Sequence, residues 1–222
     1  MGTVLYHVHV TELKPTAVMR CAMDGPHVGV GVCYGLEDEE VAFEAQCSWV
    51  RPGNCKLIAT GGIGDVLKRC ADVTYIIVRS LACSINKRLT ELSYPPVDLI
   101  KTGYDIHMHL VCQSSKEVSH GLYKAAMAMS LLSLMMRRRP RQGVGIVGDV
   151  MPSGRISMYS SDWTLVTVDR CEFFRVRRII IPKEVELSPE VLDRAAIPAA
   201  DGQPTLVFIR HESLWDAIED VF

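Results

Sequence analysis

An α+β fold is predicted for this 222-residue chain by three observations. Strand-like alternation fills its N-terminal part, one central segment is apolar almost all round, and short strands mix with helical patterns after it. The alternation covers Val4–Val10, Val28–Cys33 and Glu40–Trp49, with Arg51-Pro52-Gly53-Asn54 as a turn, which gives a mostly antiparallel sheet. From Gly64 to about Ala82 the residues Val66, Leu67, Cys70, Ala71, Val73, Ile76 and Ile77 recur at helical spacing and predict an amphipathic helix. Tyr104–Val111 alternates as a strand. Leu122–Met136 is apolar almost all round, so it predicts a central helix buried on most faces. Gly143–Val150, Arg178–Ile181 and Thr205–Ile209 complete the strands of a mixed α/β half, and Glu212–Val221 closes the chain as an amphipathic helix. This order fits one α+β domain, or two subdomains meeting near residue 100.

Composition excludes several classes. With 48% apolar and 23% charged residues the chain can bury a substantial core, as one large or two small domains. A net charge of −2 gives no global attraction to nucleic acid or to an anionic membrane. The eight cysteines, at 21, 33, 47, 55, 70, 83, 112 and 171, form no C-x-x-C pair and several sit in apolar runs. They predict free, mostly buried thiols in an intracellular reducing compartment, the cytoplasm first. Met1–Val10 lacks Arg and Lys and so does not read as a leader, and no apolar run approaches the roughly 20 residues that span a bilayer.

Several segments, taken together, resemble the proteolytic domain of the Lon protease family, a Ser-Lys peptidase. Lys56-Leu57-Ile58-Ala59-Thr60-Gly61-Gly62-Ile63-Gly64-Asp65-Val66-Leu67-Lys68 is similar to its strand-turn-helix segment L-T-G-x-L-G-D-V-M-K. Tyr104-Asp105-Ile106-His107-Met108-His109 resembles its Y-D-I-H-I-H strand, and Gly148-Asp149-Val150 with Gly154-Arg155 its G-E-I-x-x-x-G-R turn. Ile179–Glu184 resembles its I-I-P-K-E strand end. The resemblance covers residues 28–222 and implies a Lon proteolytic-domain-like fold there, with residues 1–27 an extension carrying an extra strand.

The likeness departs at the chemistry. In active members a D-G-P-S-A-G turn presents the nucleophile at a helix start, where free N–H groups stabilise an oxyanion. Counting back from Arg139-Pro140 places His120-Gly121-Leu122-Tyr123-Lys124-Ala125 on that turn, with Tyr123 at the serine's position. Matching Ser119-His120-Gly121 to S-A-G keeps a serine but requires a deletion before it and extra residues after it. The first register preserves the glycine and the helix length. At the family's lysine stand Trp163 or, counted from Pro182, Leu165, and Ser160-Ser161 replace the glycine pair before it. No lysine occurs between Lys124 and Lys183, and Arg155, Arg170 and Arg175 are not bases near neutral pH. A hydroxyl nucleophile needs a base. The implied reading is therefore a chain that is not an enzyme: a catalytically inactive domain serving as a structural or interaction subunit of a larger protein assembly.

Other patterns weigh less. His7/His9 and His107/His109 each set two imidazoles on one strand face, a metal edge if a third ligand such as Cys112 came near, but no spacing supplies the rest and no metal is expected. Gly143-Val144-Gly145-Ile146-Val147-Gly148 spells G-x-G-x-x-G inside a strand and without a following helix, so no dinucleotide is expected, and no Walker-type loop marks a nucleotide site. Ser119 beside His120 offers a peptidase alternative with no marked acid partner. Arg137, Arg138, Arg139 and Arg141 cap the central helix, where cations complement the dipole; an RNA or acidic partner contact is the alternative. No cofactor is expected, and other proteins are the expected partners.

Overall fold

The computed structural model describes residues 29–34, 42–50, 53–61, 64–98, 103–112, 123–158, 168–169, 171–172, 176–199 and 202–222. The fold is organised around helix α3 (Lys124–Met136), in which every residue from Ala125 to Leu134 is buried. The all-round apolar sequence dictates this. A helix without a polar face has no side to give to water.

Sheet A runs in the order β1 (Gly29–Tyr34), β2 (Ala42–Val50), β4 (Asp105–Cys112), β3 (Leu57–Thr60). The first three are antiparallel, and β3 joins parallel to β4. Alternation sorts the two faces of the sheet: Ala45, Cys47, Ile106, Met108 and Leu110 are buried, while Gln46, Ser48, His107 and His109 occupy the alternate positions of β2 and β4. Helix α3 packs across β1 and β2. Ser130 donates from this helix to the sulfur of Cys47 at 3.1 Å, and burial pushes the Cys47 thiol up to about 12. Asp105 fixes the start of β4, because its carboxylate accepts from the backbone N–H groups of Asn54 at 2.6 Å and Lys56 at 2.9 Å. Those two bonds hold its pKa below the ordinary value.

Helix α1 (Asp65–Ser80) buries Leu67, Ala71, Thr74, Tyr75, Ile77 and Val78 and packs against α3 and β3. The helix expected over 64–82 stops at Leu81, and a second one, α2 (Ala82–Glu91), buries Ile85 and Leu89.

The second half holds a parallel sheet of β5 (Val144–Ile146), β8 (Arg178–Pro182) and β9 (Val207–His211), with β8 central. Ile179, Ile180 and Ile181 are fully buried, the continuous apolar run a strand covered on both faces requires. The single strand expected over 143–150 is two: after β5, Gly148 at φ 142° turns the chain into β6 (Asp149–Val150), which pairs with β7 (Ile156–Ser157). A Cβ at Gly148 would run into the side chain of Ile156. Helix α4 (Pro189–Ala196) starts at Ser188, whose Oγ accepts from the N–H of Val191 at 3.3 Å.

At the C-terminal end the helix expected over 212–221 is only α5 (Ile218–Val221). The Ser213 hydroxyl bonds the Asp216 carboxylate and accepts from the Asp216 N–H at 3.3 Å, a local turn that competes with helix. Asp220 holds α5 in place through Arg178 at 2.7 Å and His211 at 2.8 Å.

Among the described residues Cys47, Cys55, Cys70, Cys83 and Cys171 are free thiols. Cys47 and Cys171 are fully buried, Cys55 and Cys70 partly so, and Cys83 is exposed. None of the described helices is long and apolar enough to cross a membrane. The strand expected at Val4–Val10 lies outside the described residues.

Candidate functional site

The start of α3 is where the sequence places a nucleophile turn. Its N-cap is Tyr123, with only 5% of its surface exposed, and it provides no side-chain cap to the helix. The N–H of Ala125 is spent on the carbonyl of Gly148 at 3.0 Å, so one of the helix's free amides already has a partner. Next to Tyr123 the Lys124 ammonium meets the Asp149 carboxylate at 2.8 Å, with side-chain exposures of 17% and 10%. Asp149 stands in β6, so the hairpin after Gly148 carries the anion to the helix start.

Cys70 of α1 lies within reach of both charges. Burial pushes its thiol up, Lys124 pulls it down, and Asp149 pushes it up again, with burial the largest effect. The sulfur therefore stays protonated and is a poor nucleophile at neutral pH.

A second polar group sits at the β3–β4 edge. The Thr60 hydroxyl lies 2.6 Å from His107 Nε2 and 3.1 Å from His109 Nδ1, and the two rings are 6.3 Å apart. Parallel pairing produces this, since it sets Thr60 level with His109. A hydroxyl donates one proton and accepts twice, so it can serve both rings at once.

Of the residues the sequence singles out, Tyr123 stands at the helix start, while Ser119, Trp163, Leu165 and Ser160-Ser161 lie outside the described residues. The choice between the two registers lies there too. The arginines of 137–141 are bound into the fold. Arg137 closes α3 in the left-handed conformation at φ 51°, and the N–H of Arg138 donates to the Ser133 carbonyl at 3.1 Å. The Arg138 guanidinium lies 4.5 Å from the ring centre of Tyr94, and the N–H of Arg141 donates to the Val221 carbonyl at 2.7 Å. The backbone here is an anchored chain reversal, while Arg137, Arg138 and Arg141 remain exposed to solvent.

Sequence reasoning missed the Lys124–Asp149 pair and the role of Thr60. The partners are 25 and 47 or more residues apart in the chain, and no local pattern joins them. The only trace was negative: Lys124 is the last lysine before the long gap.

Comparison with known proteins follows the same segments. The family model of the Lon protease (S16) C-terminal proteolytic domain matches residues 27–192. Lon protease 1 of Bacillus subtilis (strain 168) is 32% identical over 132 residues, 57% of this chain and 15% of that protein. Lon protease of Phenylobacterium zucineum (strain HLK1) is 28% identical over 197 residues, 87% of this chain and 22% of that protein. The chain thus corresponds to less than a quarter of either relative. These matches correct the expectation of a chain that is not an enzyme. The family and both relatives are proteases, and absence of one lysine from one stretch concerns a single catalytic route.

Proposed function

The chain belongs to the Lon protease C-terminal proteolytic-domain family, and on that premise we propose that it serves as an interaction subunit of a larger protein assembly, meeting its partner through the outer side of α1. The observation that carries this reading is an apolar stripe. Val66, Val73 and Ile76, spaced i, i+7 and i+10 along α1, are exposed by 43%, 42% and 64%. Helical spacing puts them within one side of the helix, away from Ala71 and Val78, which are fully buried, with Val66 beside the buried Ile77. Exposed apolar side chains grouped on one helix face point to a contact site.

The pocket end of the domain fits the same reading at residue level. In the register counted back from Arg139-Pro140, Tyr123 takes the family's nucleophile position, and counted from Gly148 Trp163 takes its lysine position; beside Tyr123 the Lys124–Asp149 pair joins the helix start to β6. Carrying Val73→Asp and Ile76→Asp together, the chain is expected to leave its assembly and run as a monomer while keeping its melting temperature, since both side chains face solvent. Size-exclusion chromatography with light scattering reads the first effect and thermal unfolding the second.

A second reading is favoured by the two relatives, both proteases. In it the chain hydrolyses peptide bonds with Ser119 as nucleophile. Incubation with unstructured casein or fluorogenic peptides, with Ser119→Ala as control, decides it. Turnover lost in the variant supports this reading, and turnover unchanged in the variant removes Ser119 from the chemistry.

A further inference from the structure

The outer face of sheet A has a local arrangement, on the strand that resembles the family's Y-D-I-H-I-H, that the contact stripe does not use. Two imidazole nitrogens, His107 Nε2 and His109 Nδ1, converge on one oxygen, Thr60 Oγ1, at 2.6 and 3.1 Å. Three features set this apart from scattered surface histidines. The rings belong to a single strand, two residues apart, so β4 fixes both side-chain origins on one face. They are tilted 49° to each other rather than stacked, which turns different ring edges toward the shared point. The register then places Ser48 directly across from His107 and Gln46 across from His109 on β2, while Ile58 of β3 stands across from His107 on the other side, so β2 is the side that brings oxygen-bearing side chains to the rings.

We propose that His107, His109 and Thr60 form a binding site for one divalent transition-metal ion of the nickel, copper and zinc class. Neutral imidazole is a ligand these ions share, at nitrogen distances of about 2.0–2.1 Å for zinc. The convergence point is occupied by a hydroxyl that needs only a side-chain rotation to yield it, or it stays as a weak oxygen ligand. His109 is exposed and His107 and Thr60 are half-buried, so the ion reaches the site from solvent and water completes its coordination. Among the described residues no group of three or more His, Cys, Asp or Glu side chains gathers as a metal cage. The site is therefore an open two-imidazole chelate, which separates it from a closed structural zinc centre. Affinity for manganese falls well below that for nickel, following the order of divalent ions at nitrogen sites.

The test uses the purified full chain and Ni2+ as the probe. Histidine-selective NMR is expected to show the His107 and His109 ring signals lost together on addition of one equivalent, through proximity to the paramagnetic ion. Isothermal titration is expected to show affinity reduced by about tenfold or more in His107→Ala and in His109→Ala. His7→Ala with His9→Ala, which removes the other H-x-H pair, is expected to leave that affinity unchanged. The inference is overturned if the two ring signals persist at one equivalent of Ni2+, or if the His7/His9 variant, and not the His107 and His109 variants, loses binding. The NMR readout uses the unmodified chain, so a poorly folding variant does not shield the inference.

Discussion

Replacing Lys124 with methionine lowers the free energy of unfolding by about 3 kcal/mol, because it strands the Asp149 carboxylate in a nearly closed site. The ammonium and carboxylate are 2.8 Å apart with 17% and 10% of their side chains exposed, so little water is available to replace the lost partner. Taking one member from a pair this enclosed costs more than the pair itself contributes. The double variant Lys124→Met/Asp149→Leu tests that asymmetry: with both charges gone it recovers to within about 1 kcal/mol of the parent. Urea unfolding of the three proteins gives the comparison directly. A single variant as stable as the parent means the pair is solvated and the helix start open.

Leu132→Ala, at the middle of α3, costs about 3 kcal/mol, within the range for a leucine removed from a closed core. Leu132 is fully buried, as are its helix neighbours Leu131 and Ser133, so there is no edge from which the cavity can fill. For a chain of this size that loss lowers the melting temperature by about 6–12 °C. A fall of less than about 1 kcal/mol would mean that the helix lies at a surface. It would undo the arrangement on which sheet A and α1 are packed.

How much of this was readable beforehand follows from the range of each signal. Helix α3 was legible because thirteen consecutive residues without a polar side leave one outcome, burial. Sheet A was legible from alternation, although its parallel strand β3 entered through the family likeness rather than through its own four residues. The end of α1 was legible to within two residues, but α2, which follows directly after Leu81, was not read from its own spacing. Glu212–Val221 misled for the opposite reason. Its spacing is helical, but Ser213 and Asp216 spend their polar groups on a turn. The start of α3 was legible to within two residues from the apolar run that opens at Leu122, while Lys124–Asp149 and Thr60–His107 depend on strands brought together by topology. Whether the chain is an enzyme was misjudged because a missing residue speaks only about the reaction that needs it.

One further reading of the surface bears on the proposed role. Leu192, Ile197 and Val207 are exposed on the second half of the molecule, but they are scattered over α4, its exit and β9. Single exposed apolar residues are ordinary. Among the described residues only α1 carries more than one of them, which is why Val73 and Ile76 carry the test.

The most direct measurement is the native mass of the chain in an extract of its own cells, followed by light scattering or native mass spectrometry. The account predicts a species several times the 24.7 kDa of the single chain, reduced to that mass by Val73→Asp with Ile76→Asp. A chain that runs at 24.7 kDa before any substitution, or an assembly that keeps its mass with both aspartates in place, contradicts it.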